Sequence, residues 1–256
     1  MKILYWHKKQ KSIQLAQAFV DACDRAGVDC YFYDGELQPD TDLAVAIGGD
    51  GTLLTLVHLL CFARVPFLAI NGGTVGFLAQ DYQDMDGLVQ SLLDGEYALV
   101  DKRLLEVFWE DGKQYALGDV AVCRGDTVGT VTVDISVDGE HVFAYRGDGV
   151  VVATPLGSTG YSLSGGGAVL APDLEAMIIT PIAAHSLCAR SVVVGADACV
   201  ALRVSGRDGV AVSLDGVSVL EGSSVDLTVS SADKWLQLVQ FDSKYFERLT
   251  KKLATW

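Results

Sequence analysis

Apolar and polar positions follow two different rhythms along the chain. Up to about residue 100, short apolar runs alternate with segments of helical period. Residues 2–6 (KILYW), 28–34 (VDCYFYD), 42–49 (DLAVAIGG) and 66–73 (PFLAINGG) read as strands. Residues 12–27, 52–63 and 85–95 read as helices, the first opened by Ser12 as its cap and closed by Gly27. Strands that are apolar on both faces and alternate with helices predict a parallel sheet covered on both sides.

After residue 100 the period shortens to two, with Asp-Gly pairs between the runs, as in LLEVFWEDGKQYALGDVAV and VTVDISVDGEHVFAYRGDGVVVATP. Such pairs flanked by alternating residues are strong hairpin signals, so this part is expected to be an antiparallel, sandwich-like β domain. The tail, 234–256, reads as a strand and then a helix with Lys251 and Lys252 in its last turn, where they complement the helix dipole. Its α/β character fits the first domain. The expected organisation is therefore 1–100 α/β, 101–233 β, and 234–256 packing back on the α/β domain.

Composition narrows the chemistry. Net charge is −14 over 256 residues, which argues against a nucleic-acid partner or an anionic membrane surface. Any phosphate must be handled by backbone N–H groups, a metal ion and a few placed cations. No run of about 18 apolar residues suggests a membrane span, and MKILYWHKKQKS has no leader pattern. The six cysteines are scattered without a Cys-x-x-Cys pair, which fits reduced thiols and a cytoplasmic location.

Three glycine-rich stretches carry the candidate chemistry. GGDGT, at 48–52, follows an apolar strand and opens an apolar helix, the setting of a phosphate cradle. It lacks the Lys and spacing of a P-loop and does not fit the dinucleotide fingerprint. The ordinary alternative is a tight turn in which Asp50 or Thr52 caps the helix. A second stretch, AINGGTVGFLA (69–79), offers Asn71 to orient a phosphate or a loop and Phe77 to stack on a base. In an open parallel sheet, neighbouring turns at strand carboxyl ends flank one crevice. The third, RGDGVVVATPLGSTGYSLSGGG (146–167), concentrates the hydroxyls of Ser158, Thr159, Tyr161, Ser162 and Ser164, which can bind a sugar or phosphate without adding charge. His185 is read as a structural residue and Asp119 as a turn carboxylate.

Taken in order, GGDGT (48–52), INGGTVGFL (70–78), GDGVVVATPLGSTGYSLSGGG (147–167) and TPIAAHSLCAR (180–190) closely resemble the NAD kinase family. GGDGT alone is shared with diacylglycerol and sphingosine kinases; the long hydroxyl-rich motif separates them. The resemblance implies ATP-dependent phosphorylation of the adenosine ribose 2′-hydroxyl of NAD, with a divalent metal, Mg²⁺, near Asp50 but without fixed protein ligands. It also implies a homo-oligomer, dimer or tetramer, and leaves polyphosphate open as the donor. Asp50 matches the family's proton acceptor, and Gly48, Gly49, Gly51, Thr52, Asn71 and Phe77 are expected around the nucleotide. Gly118, Asp119, Arg146, Asp148, Thr159, Gly160, Tyr161, Ser162, Leu163, Ser164 and Ala183 fall on nucleotide-contacting positions, the one matched by Asp148 reaching a neighbouring subunit's site. Asp50→Asn is expected to lower turnover strongly with the fold intact.

Some positions depart from the family's pattern. Gly118 and Asp119 stand where Asn and Glu are usual, Gly160 replaces Ala, Leu156 replaces a hydroxyl residue and Val217 a Gln. These changes bear on affinity and on NAD-versus-NADH preference. They also keep open a catalytically weak nucleotide-binding regulator, beside a lipid or small-alcohol kinase, as alternatives to an NAD kinase.

Overall fold

The computed structural model describes residues 1–8, 10–72, 76–82, 84–125, 129–241 and 244–254. The chain forms two compact units, Met1–Lys102 with Leu236–Trp256, and Arg103–Trp235. The first unit therefore draws on both ends of the sequence.

In the first unit, β1 (Lys2–Trp6), α1 (Ile13–Arg25), β2 (Asp29–Phe32), β3 (Leu43–Ile47), α2 (Asp50–Leu59), β4 (Phe67–Ile70) and α3 (Met85–Asp94) follow in order. The strands pair in parallel as β2-β1-β3-β4. Ile3, Val45, Ile47, Leu68 and Ile70 pack with Ala16, Phe19, Ala22 and Cys23 of α1 and Leu88, Val89 and Leu92 of α3. The intervening Leu4, Ala44, Ala46, Phe67 and Ala69 are buried too, and α2 lies against β3 and β4. Both faces are covered, which explains why these strands read as continuous apolar runs. The strand order reverses between β1 and β3, and in such sheets ligands bind outside the carboxyl ends at that switch point.

Two helix starts differ from expectation. Ser12 precedes α1, but it closes a 3-10 turn (Gln10–Ser12) with helical backbone angles, and its side chain makes no capping bond. An extended cap residue is needed to aim the hydroxyl at the first amides. Helix α2 begins at Asp50 rather than residue 52, and Gly49 is its cap. Neither Asp50 nor Thr52 is the cap. Asp84 does cap α3, accepting from Gly87 N at 3.0 Å.

The second unit is almost entirely β. β5 (Ala98–Trp109) enters it and pairs with β6 (Gly112–Ala116); β7 (Asp119–Arg124), β8 (Val131–Val137), β9 (Glu140–Gly147) and β10 (Gly149–Ala153) follow. A short helix, α4 (Tyr161–Ser164), precedes β11 (Ala176–Ile182), β12 (Val192–Gly195), β13 (Val200–Leu214) and β14 (Val217–Gln240). Val200–Gly206 of β13 pairs with β8, while Val210–Leu214 pairs with β7, across an irregularity after Ser205. One strand thus pairs with two different neighbours along its length, and Val122, Val133, Ile135, Val152, Val204 and Val212 fill the core. Asp138-Gly139 and Asp215-Gly216 both have positive φ at both residues, the backbone of a tight hairpin turn. The end of β14 returns to the first unit, where Leu238 pairs in parallel with Phe67, and α5 (Tyr245–Leu253) follows.

Candidate functional site

The carboxyl ends of β3 and β4 hold the first two glycine stretches side by side. Gly48 N–H donates to Ile70 O at 2.8 Å, tying the turns together. A Cβ on Gly48 would run into the Thr52 side chain, so the fold itself requires that glycine. Gly49 and Gly51 are different: both are exposed, neither has a left-handed φ, and a Cβ would meet nothing within 4 Å. Packing gives no reason for glycine there, whereas close approach of a ligand to the backbone does. At the start of α2, Thr52 N–H and Leu53 N–H both donate to Gly49 O, at 2.8 and 3.4 Å, and the first positions of a helix are where backbone N–H groups lack intrahelical acceptors and can meet an anion.

Asp50 sits in the first turn of α2 and reaches back across the second glycine loop. Its Oδ2 accepts from Phe77 N at 2.8 Å, and its Oδ1 accepts from Leu78 N and Ala79 N, both at 3.0 Å. Gly76 makes the approach feasible, because a Cβ there would collide with Oδ1. Lys252 of α5 places its ammonium 3.5 Å from Oδ2 and 4.3 Å from the centroid of the Phe77 ring. A carboxylate has about four lone-pair directions, and three backbone N–H groups and one ammonium meet this one. This clamp also changes the expectation for Asp50→Asn, since an amide nitrogen cannot accept from N–H donors and the loop would loosen.

The donor set does not fit a resident metal. Among the described residues no group of three His, Cys, Asp or Glu side chains could hold an ion, and both oxygens of Asp50 are engaged. Asn71 and Phe77 are also placed differently from the expected ligand roles. The Asn71 amide donates to Asp81 Oδ1 at 2.5 Å, and Phe77 is 5% exposed beneath Lys252. Thr52 is buried. Gly73, Thr74 and Val75 lie outside the described residues.

The second unit holds the remaining candidates. Asp215, at a hairpin turn, accepts from Leu117 N, Gly118 N and Asp119 N at 2.7, 2.6 and 3.0 Å. A Cβ on Gly118 would sit 3.1 Å from Asp215 Oδ1, so the larger Asn usual there would crowd that carboxylate. Burial, reinforced by the charge of Asp215, pushes the Asp119 carboxyl up to about 7, against a hydrogen bond from the Tyr161 backbone that lowers it. Gly160 adjoins Asp119, with its Cβ position 3.5 Å from Oδ2.

Much of the hydroxyl cluster turns inward. Ser158 Oγ donates to Pro155 O at 2.6 Å, Thr159 Oγ1 to Leu156 O at 3.2 Å, and Ser162 Oγ bonds Thr180 Oγ1 at 2.8 Å. Tyr161 and Ser164 are exposed and Leu163 is half-buried. The Tyr161 hydroxyl lies 3.7 Å from Cys123 Sγ and is pushed up to about 12, chiefly by burial. Asp148 pairs with Arg124 at 3.3 Å, and Arg146 reaches Thr130 Oγ1 at 2.8 Å. Ala183 is exposed with φ 46°, and His185 N–H donates to Arg146 O at 2.7 Å. Sequence reasoning missed Asp215 and Lys252. The first is disguised as an ordinary Asp-Gly turn, and the second as a dipole-complementing lysine.

Residues 12–97 match the ATP-NAD kinase N-terminal domain, and residues 117–241 the ATP-NAD kinase C-terminal domain. The NAD kinase of Flavobacterium johnsoniae is 37% identical over 229 residues, covering 86% of this chain and 78% of that one. The chain belongs to the ATP-NAD kinase family. The NAD kinase of Geobacter metallireducens is 34% identical across 98% of this chain and 91% of its own. Among solved structures, an NAD kinase from Archaeoglobus fulgidus in complex with ATP superimposes with a TM-score of 0.82 at 26% identity, over 100% of both chains. Yeast NADH kinase complexed with NADH gives 0.86 at 22% identity, over 100% of this chain and 88% of that one, a likeness of fold. These matches do not favour a lipid kinase or a regulator.

Proposed function

We propose that this NAD kinase-family protein transfers the γ-phosphoryl group of ATP to the adenosine ribose 2′-hydroxyl of NAD, giving NADP and ADP. The observation that carries the reading is Asp50, a carboxylate set in an open glycine turn at the switch point of a parallel sheet. Its Oδ2 accepts one backbone bond where Oδ1 accepts two, so Oδ2 is the oxygen for an incoming hydroxyl. The hydroxyl oxygen attacks the γ-phosphorus, the bond to the bridging oxygen breaks with its electron pair leaving on ADP, and the proton passes to Oδ2. Catalysis of this kind rests on positioning and charge stabilisation, and a positioned base contributes about 10²–10⁴-fold. Mg²⁺ belongs to the substrate here, arriving with the triphosphate.

The backbone at Gly48, Gly49 and Gly51 binds phosphate in this reading. In the second unit, Asp119, Tyr161, Ser164, Asp148 and Ala183 contact NAD, with Arg146 and Asp148 serving a neighbouring copy in a homo-oligomer. Ser158, Thr159 and Ser162 instead hold the loop in shape. The protein works in the cytoplasm; no helix among the described residues is long and apolar enough to cross a membrane. Purified protein with Mg-ATP and NAD should form NADP, read by an NADP-specific dehydrogenase, and should leave diacylglycerol unphosphorylated. Phosphorylated lipid without NADP would overturn the reading.

A further inference from the structure

We infer that Lys252, supplied by the tail helix, is a catalytic residue of the transfer step: its ammonium, seated beside Asp50, moves to the γ-phosphoryl group when ATP binds. The inference rests on the reading of Asp50 as the transfer site. It begins with the face of α5. Tyr245, Arg248, Leu249 and Lys252, spaced by three, one and three residues, are half-buried, whereas Phe246, Glu247, Thr250, Lys251 and Leu253 are exposed. A lysine in a last turn satisfies the helix dipole equally well when pointing outward, as Lys251 does while pairing with Glu247 at 2.7 Å. Lys252 is turned inward, with its side chain only 20% exposed.

Two of its contacts place its charge at the site. The 3.5 Å separation from Oδ2 is an ion pair, longer than a strong charge-assisted hydrogen bond. A further contact, with the Phe77 ring at 4.3 Å, supports the charge without fixing its direction. Lysine is a compact charge on a flexible stem and a common phosphate binder. A chain of net charge −14 has to bring positive charge to a triphosphate locally, and a bare carboxylate beside that triphosphate would repel it. Lys252 lies where it can neutralise both.

Movement of the ammonium also resolves the crowding of Asp50. Lys252 contacts Oδ2, the oxygen that the 2′-hydroxyl also needs. Binding of ATP draws the ammonium away and opens Oδ2 to the acceptor. The oxygen–phosphorus bond then forms, the bridging bond breaks onto ADP, and the hydroxyl proton goes to Oδ2. Lys252 keeps its proton throughout.

The test compares wild type, Lys252→Met, Lys252→Arg and Lys252→Ala in initial-rate assays of NADP formation, with thermal melting of each. Met keeps an unbranched stem over Phe77 while removing the charge. Its kcat should fall about 10²-fold and its KM for ATP should rise, with KM for NAD within about twofold. Arg should restore part of the loss, and added propylammonium should raise the rate of the Ala variant, which a merely structural lysine would not allow. A Met variant with kcat and KM for ATP within about twofold of wild type overturns the inference. So does a loss that neither Arg nor propylammonium relieves. A wild-type protein that forms no NADP removes the underlying reading, and the inference with it.

Discussion

Asp50 holds the loop 77–79 by three backbone bonds, and in the proposed reaction it has a second task, receiving a proton from the substrate hydroxyl. Asp50→Asn should therefore lower kcat by about 10² or more and also destabilise the protein by about 1–3 kcal/mol, because a buried donor loses its acceptor. Paired kinetics and thermal melts check both effects. Asp119 makes a separate prediction. Its carboxyl ordinarily titrates near 3.8, but in the folded protein it is pushed up to about 7. Between those values the folded state holds a proton that the unfolded chain has lost, so stability falls as pH rises, by at most about 1.4 kcal/mol per pH unit. Below the lower value the contribution is fully present; above the upper one it is gone. Asp119→Asn should gain stability relative to wild type across that window, and parallel melting curves for the two proteins would contradict the assignment.

At the scale of elements, glycines that look alike in the sequence separate into two kinds. Gly48 is held by contact with Thr52, so Gly48→Ala should destabilise the turn by about 1–3 kcal/mol. Gly51 has open space and lies in the first turn of α2, so Gly51→Ala should keep or raise the melting temperature, helix propensity favouring it by about 1 kcal/mol. The same change should raise KM for ATP if the backbone there meets phosphate. A variant with unchanged KM would place the phosphate elsewhere. Most elements were legible because their pattern has a simple cause. The continuous apolar runs of β1, β3 and β4 come from burial on both faces, and Asp138-Gly139 and Asp215-Gly216 come from the positive φ a tight hairpin demands. The start of α2 was legible only to within two residues, because a glycine cap leaves no side-chain signal. The inward turn of Ser158 and Ser162 was hidden as well. Composition shows that hydroxyls cluster but not which carbonyl or hydroxyl each one finds.

Across the whole molecule, residues distant in sequence complete the first unit. Leu236 and Val239 are 2% and 3% exposed, Gln80 Nε2 donates to Val239 O at 3.0 Å, and Phe241 N donates to Gln80 Oε1 at 3.1 Å. Burial of each of these apolar side chains is worth about 1.5–3 kcal/mol, against a total domain stability of about 5–15 kcal/mol. A chain ending at Trp235 should therefore lose hydrogen-exchange protection in β3 and β4, and native protection there would contradict the account of the tail. The same long-range closure kept Lys252 out of the sequence-based site: 202 positions separate it from Asp50, and no local pattern reports the ion pair. Transfer itself is best followed by incubating the protein with γ-labelled Mg-ATP and NAD and locating the label. The predicted result is label in the 2′-phosphate of NADP, formed at least about 10²-fold more slowly by Asp50→Asn. Label carried to another acceptor, or an Asp50→Asn rate equal to wild type, would contradict the assignment of the site.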